Sequence, residues 1–296
     1  MTAAGSVLIT GCSSGIGQAA ALALHEAGRT VVATARNPAT LSGLADRGLR
    51  TLALDVTDEA SMQAAVDDAG PIDVLVNNAG YGLYGTVEQL PMMEIRRQFE
   101  TNFFGLVRLT QLVLPGMRAA GGGRILNVSS MGGRATLPGG AFYHASKYAV
   151  EALSDAPRME VARFGIDVVL IEPGPVRTPW NDVAAGSVAV SAAPGGAASS
   201  SAVNGSAANG NGNGADPYAG FKDAVTAAFS TATDGPLARF SSSADDIAKV
   251  ITRAVTARRP RTRYLINPVA RTTVTLRRWL PDRAYDAVLR RQYHLP

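Results

Sequence analysis

A succession of short apolar runs, separated by helix-length segments and closed by glycine or polar residues, constrains this chain more than any other feature. Val7–Ile9 runs into a glycine-rich stretch, and residues 16–27 are rich in Ala and Leu and stop at Gly28. Thr30–Ala35 is a β-branched run, and Leu52–Leu54 precedes Asp55. Thr57-Asp58-Glu59 opens a helix to about Ala69, with Pro71 as its breaker. Ile72–Val76, Arg124–Val128 and Ile166–Ile171 complete the strands, and helices are expected over 92–119 and 143–163. Buried strands alternating with helices predict βαβ units. The expected fold is therefore α/β: a Rossmann-like, doubly wound parallel sheet in three α/β/α layers, forming a single domain. Such sheets bind ligands at the carboxyl ends of their strands. Those ends here carry Gly11, Arg36, Asp55, Asn77, Ser129-Ser130 and Pro173.

Five groups of residues can carry chemistry. Thr10–Gly17 reads TGCSSGIG between a strand and a helix, so Gly11, Ser13, Ser14, Gly15, Ile16 and Gly17 can present backbone N–H groups and a helix N-terminus to a pyrophosphate. Tyr143 and Lys147 are four apart on a helix and share a face. An ammonium about 5 Å from the phenol, at an effective dielectric of about 20, is worth roughly 3 kcal/mol, or about two pK units. That shift brings the phenol toward the range useful for proton transfer. Ser130 closes a strand and can hold a substrate oxygen. Asn102 lies in a helix between Thr101 and Phe103, where it reads as a satisfied core amide, a water ligand or the cause of a kink. Asn77–Gly80 suits both a tight turn and a loop shaping the cleft.

Together these residues resemble the short-chain dehydrogenases/reductases of the Tyr-x-x-x-Lys type. The resemblance rests on TGCSSGIG, on NNAG at 77–80, on the spacing of Asn102, Ser130, Tyr143 and Lys147, and on Pro173-Gly174 with Thr178. It covers residues 5–180, with a weaker match in 240–270. It implies that Tyr143 gives and takes the proton, that Lys147 binds the nicotinamide ribose and lowers the phenol's pKa, and that Ser130 positions the substrate oxygen. It also implies that Asn102 holds a water relaying protons from Lys147, and that Asp55 and Val56 lie on the adenine side. Asn78, Ala79 and Gly80 would line the cofactor cleft, and Pro173, Gly174, Val176 and Thr178 would meet the nicotinamide amide. The glycine and serine strings look most like those of hydroxysteroid- and retinol-type members. A homodimer or homotetramer, paired through the two long helices, is the family's usual assembly.

Cofactor choice follows from charge. The position closing the second strand is Ala35, followed by Arg36, so no carboxylate repels a 2′-phosphate and a guanidinium is ready to pair with it. NADP(H) is therefore expected over NAD(H), in an enzyme interconverting a carbonyl and a secondary alcohol. Phe142, Trp180, Phe221, Leu137 and Met131 are candidate pocket walls, which favours a hydrophobic substrate.

Charge and composition bound the alternatives. The net charge of +4 divides into +9 over residues 253–296 and −5 over the rest. No nucleic-acid-binding signature accompanies the basic tail, so no nucleic-acid partner is expected. The tail does suit an anionic membrane surface, which makes a peripheral enzyme acting on lipid-like substrates one alternative. Against it, Leu276, Trp279 and Val288 are expected to pack over the site or against a second subunit. A non-catalytic NADP(H) sensor is the other alternative, but it has no use for Asn102, Ser130, Tyr143 and Lys147 together. One cysteine, Cys12, excludes an internal disulfide, and no apolar run spans a bilayer or forms a leader, so the expected location is cytoplasmic. No metal is expected.

The expected organisation is a dinucleotide-binding and catalytic core over 1–182 and a disordered low-complexity insert over 183–217 in the substrate loop. Residues 218–296 then complete the domain with a last strand and two basic amphipathic helices broken by Pro281. The insert is uncharged to Ala215 and reads as dispensable between 186 and 214. Pro157 falls inside the helix that carries Tyr143, where an interior proline costs about 3 kcal/mol, so a kink or a restart after Ala156 is expected.

Overall fold

The computed structural model describes residues 5–190, 216–234 and 238–295. Its elements run β1 (Ser6–Ile9), α1 (Gly15–Glu26), β2 (Val31–Ala35), α2 (Ser42–Ala45), β3 (Arg50–Ala53), α3 (Glu59–Ala69), β4 (Ile72–Asn77), α4 (Met92–Phe99), α5 (Gly105–Ala119) and β5 (Gly123–Val128). They continue with α6 (Ala141–Val161), β6 (Ile166–Pro173), β7 (Val176–Arg177), α7 (Trp180–Val190), α8 (Ala219–Asp234), β8 (Ser242–Ser243), α9 (Ala244–Thr256), β9 (Arg263–Ile266), α10 (Pro268–Trp279) and α11 (Asp282–Gln292). Seven strands pair in the order β3-β2-β1-β4-β5-β6-β9, all parallel. The doubly wound, three-layer, single-domain expectation is met.

Alternation along the strands builds the layers. Val7 and Ile9 face α1 and α9, where Ala20, Leu24, Ile247 and Ile251 are buried against them. Leu8, Val32 and Leu75 face the other way, against Met62 of α3 and Leu109, Val113 and Met117 of α5. Leu170 meets Val150 of α6 on that same side as Leu106 of α5. Strand direction is thus fixed by two apolar faces, and the carboxyl ends of all the strands open on one edge.

Three expectations need correction. The helix over 92–119 is present, but Glu100–Phe104 forms a π-turn between α4 and α5, with Asn102 inside it. α6 runs unbroken through Pro157, without a restart. Pro157 sits near the helix end, and packing of Val150, Ser154 and Val161 on either side of it outweighs the lost hydrogen bond. Residues 183–190 are not disordered: they belong to α7, which buries Ala184 and Val188. Residues 186–190, the start of the stretch expected to be dispensable, lie within this helix. Residues 191–215 of that insert lie outside the described residues, while Asp216 at its far end pairs with Lys222 at 2.8 Å. The last strand and the two terminal helices broken at Pro281 stand as expected.

Candidate active site

A cleft of about 750 Å³ opens at the carboxyl ends of the strands, where sheet order reverses between β1 and β4. Its floor is the loop between β1 and α1. Gly11 has φ +72°, a left-handed conformation that side chains disfavour. A Cβ on Gly17 would lie 2.2 Å from the Gly11 carbonyl oxygen and 2.5 Å from Asn78 Nδ2, so only glycine permits this approach. Gly11, Ser13, Ser14, Gly15 and Ile16 line the cleft, while Gly17 lies behind them. Ser14 makes no side-chain cap on α1, which leaves the first N–H groups of that helix for a ligand. This cradle fits a dinucleotide pyrophosphate.

The NNAG segment ties this loop to β4. The Thr10 hydroxyl accepts from the Asn78 and Ala79 N–H groups at 3.0 and 2.9 Å, and Asn78 Nδ2 donates to the carbonyls of Thr10 and Gly11 at 2.9 and 3.1 Å. Asn78, Ala79 and Gly80 line the cleft. At one end Arg36 is exposed and, among the described residues, without an ion pair. Asp55 and Val56 lie beside it, and Asp55 Oδ1 accepts from the Thr57 N–H and hydroxyl at 2.9 and 2.8 Å. Pro173, Gly174, Val176 and Thr178 line the opposite end. The two-stranded pairing of β7 with β8 holds that rim.

Asn102 does not line the cleft. It is buried, and its amide oxygen accepts from the Tyr81 N–H at 3.0 Å while Nδ2 donates to the Tyr81 carbonyl at 2.9 Å and to Ser146 Oγ at 3.2 Å. The amide is satisfied, one of the readings open from sequence, and it clamps the backbone that follows Gly80.

Ser130, Tyr143 and Lys147 meet in the cleft. Lys147 Nζ lies 6.0 Å from the Tyr143 ring centroid and donates to the Val128 carbonyl at 2.8 Å. The expected acidified phenol is not found. Burial pushes Tyr143 up to about 12, and the hydrogen bond from Ser130 only partly opposes this. Exclusion of water from the phenolate dominates, and the ammonium donates to the Val128 carbonyl rather than to the phenol. The same burial lowers Lys147 to about 8, with Glu151, one turn further along α6, opposing it. Glu151 is itself raised to about 7, by burial first and then by Glu172. Arg263 Nε lies between these carboxylates, 3.2 Å from Glu151 and 3.1 Å from Glu172.

The rest of the cleft is aromatic. Tyr84 packs against Tyr143 and Phe229 with ring centroids 5.6 and 4.8 Å away, and Trp180 lies 5.2 Å from Tyr143. Leu137, Met131 and Trp180 line it as expected; Phe142 and Phe221 do not. Phe142 packs under α4 with Leu83 and Ile95, and Phe221 packs behind Val225. Sequence reasoning missed Tyr84, His144, Phe229 and Tyr293. These converge from four separate elements, so no local spacing marks them. His144 Nδ1 accepts from the Leu137 N–H at 3.2 Å, and its Nε2 lies 3.5 Å from the Tyr84 hydroxyl.

Comparison with known proteins agrees with this geometry. The sequence pattern of the family described as short chain dehydrogenase matches residues 5–186. The uncharacterized oxidoreductase YbbO of Escherichia coli strain K12 is 33% identical over 289 residues, covering 96% of this chain and 93% of that protein. The 3-ketodihydrosphingosine reductase of Bacteroides thetaiotaomicron is 43% identical over 180 residues, covering 60% of this chain and 65% of that protein. A crystal structure of a short-chain dehydrogenase from Streptomyces avermitilis superposes with a TM-score of 0.70 at 30% identity, covering 97% of this chain and 94% of that one. Match, fold and cleft agree: this chain is an oxidoreductase belonging to the short-chain dehydrogenase family.

Proposed function

We propose that the protein interconverts a carbonyl and a secondary alcohol on a hydrophobic small molecule, using NADP(H), with Tyr143 as general acid and base. The observation that carries this reading is the meeting of Ser130, Tyr143 and Lys147 in the same cleft as the glycine cradle. When bound, the nicotinamide supplies or accepts the hydride. The chain's residues do the rest. N–H groups from Gly11 to Ile16 hold the pyrophosphate, Arg36 pairs with the 2′-phosphate, and Asp55 and Val56 take the adenine side. Lys147 binds the ribose, and Pro173, Gly174, Val176 and Thr178 hold the amide end. Ser130 holds the substrate oxygen beside the phenol, and Asn102 fixes the Gly80–Tyr81 backbone.

The aromatic walls favour an apolar substrate. So does similarity to a relative named 3-ketodihydrosphingosine reductase. Residues 5–182 supply the cofactor half, while α7, α8 and the chain end supply the walls. Phe104, at the end of the π-turn that leads into α5, and Tyr148 on α6 are exposed, which supports pairing of two copies through α5 and α6. A cytoplasmic location fits the single buried cysteine.

The test is Tyr143→Phe, assayed for NADPH oxidation against a panel of apolar ketones. Turnover is expected to fall by about 10²–10⁴-fold, with NADPH affinity retained in a fluorescence titration. Persistent turnover in that variant overturns the mechanism.

A further inference from the structure

α10 and α11 dispose their side chains unusually. α10 buries Ala270 and Val274, and α11 buries Tyr285. Opposite a buried stripe, a helix facing water carries charge. α10 instead places Leu276 and Trp279 there, roughly 200° and 140° around the helix from Val274 at 3.6 residues per turn. They are 37% and 74% exposed, and Val288 on α11 is 42% exposed. The expectation that these three pack over the site is therefore not met, and Tyr293 lines the cleft instead. Arg278 lies 5.6 Å over the Trp279 ring. The outer side of α11 carries Arg283, Arg290 and Arg291, exposed and without ion pairs among the described residues.

We propose that this face, centred on Trp279, docks on the surface of an anionic lipid bilayer. Indole and arginine side by side suit the boundary between acyl chains and headgroups, where the ring has an apolar side and the guanidinium meets phosphate. A second copy of the chain fits less well, because a two-fold contact on this face would set arginines against arginines. A nucleic acid would meet the arginines but leave Leu276 and Trp279 unexplained. Tyr293, which follows α11, lines the cleft, and Leu289 packs in the cleft's aromatic cluster. Docking therefore brings the apolar end of the cleft next to the bilayer. That a substrate enters from the lipid rests on the proposed function; the docking does not.

Co-sedimentation with vesicles tests this without any turnover. The full chain should pellet with phosphatidylglycerol mixed into phosphatidylcholine, and not with phosphatidylcholine alone. Leu276→Ser with Trp279→Ser, and separately Arg283→Glu with Arg290→Glu, should each lower partitioning by about tenfold or more, and salt should weaken it. Circular dichroism and NADPH titration of both variants report an intact fold and cofactor site, so loss of docking is distinguishable from failure of the enzymatic reading. Absence of pelleting with anionic vesicles, or equal pelleting of wild type and variants, overturns the proposal. So does a change of oligomeric state in the Leu276, Trp279 variant without vesicle binding, or binding to a DNA duplex but not to vesicles.

Discussion

Acid should loosen this protein through His144. The side chain is fully enclosed, and its Nδ1 accepts a hydrogen bond from the Leu137 N–H, so a proton there would face another donor. Burial lowers its pKa from 6.5 to about 4, a difference equivalent to roughly 3 kcal/mol between the two protonation states. Above pH 6.5 the imidazole is neutral in both folded and unfolded chains and adds no pH dependence. As pH falls, the unfolded chain binds a proton that the folded chain refuses, so stability drops until the folded value is reached. Most of the roughly 3 kcal/mol is lost by about pH 4.5. His144→Gln keeps an acceptor for Leu137 but does not titrate. Urea denaturation of both proteins at about pH 7.5 and about pH 4.5 should show a loss of stability smaller in the variant by roughly that amount. Equal losses in the two proteins, or an NMR titration of His144 near its ordinary value, would refute the reasoning.

Two further substitutions address the cofactor end. Arg36→Ala should lower kcat/KM for NADPH by about tenfold to a hundredfold, the worth of a charge-assisted pair with phosphate, and leave NADH nearly unaffected; equal effects on both cofactors would remove Arg36 from the 2′-phosphate. Gly17→Ala should cost about 1–3 kcal/mol of stability and weaken binding of either dinucleotide, because its Cβ must displace the Gly11 carbonyl; a thermal melt and NADH affinity unchanged from wild type would contradict the tight approach.

The sheet was legible because its central strands are buried on both faces and hold apolar runs, as in Val74–Val76 and Val168–Ile171. The glycine cradle and the Tyr143–Lys147 pair were legible because their spacing is local. α7 was hidden because Ala, Gly and Ser give little amphipathic signal, yet Ala184 and Val188 at i and i+4 suffice to bury one side. The aromatic walls were hidden because Tyr84, His144, Phe229 and Tyr293 are joined only by the tertiary fold. The acidity of the phenol was misjudged for a different reason. Helical spacing shows that two side chains share a face, but not where the ammonium turns, and Val128 takes it.

That misjudgement bears on direction. The same dry environment acts oppositely on the two groups, raising the acid Tyr143 to about 12 and lowering the base Lys147 to about 8, so each is pushed toward its neutral form. At pH 7 a phenol so placed is ionised in roughly one molecule in 10⁵, whereas an ammonium at that value stays charged in roughly nine of ten. The resting site therefore holds its proton on Tyr143, next to the Ser130 hydroxyl that bonds it. Donating that proton to a carbonyl oxygen requires no prior ionisation. In the proposed mechanism, accepting one from an alcohol requires the phenolate, which burial disfavours here. Within that mechanism, these side chains by themselves therefore hold Tyr143 in its proton-donating form at neutral pH.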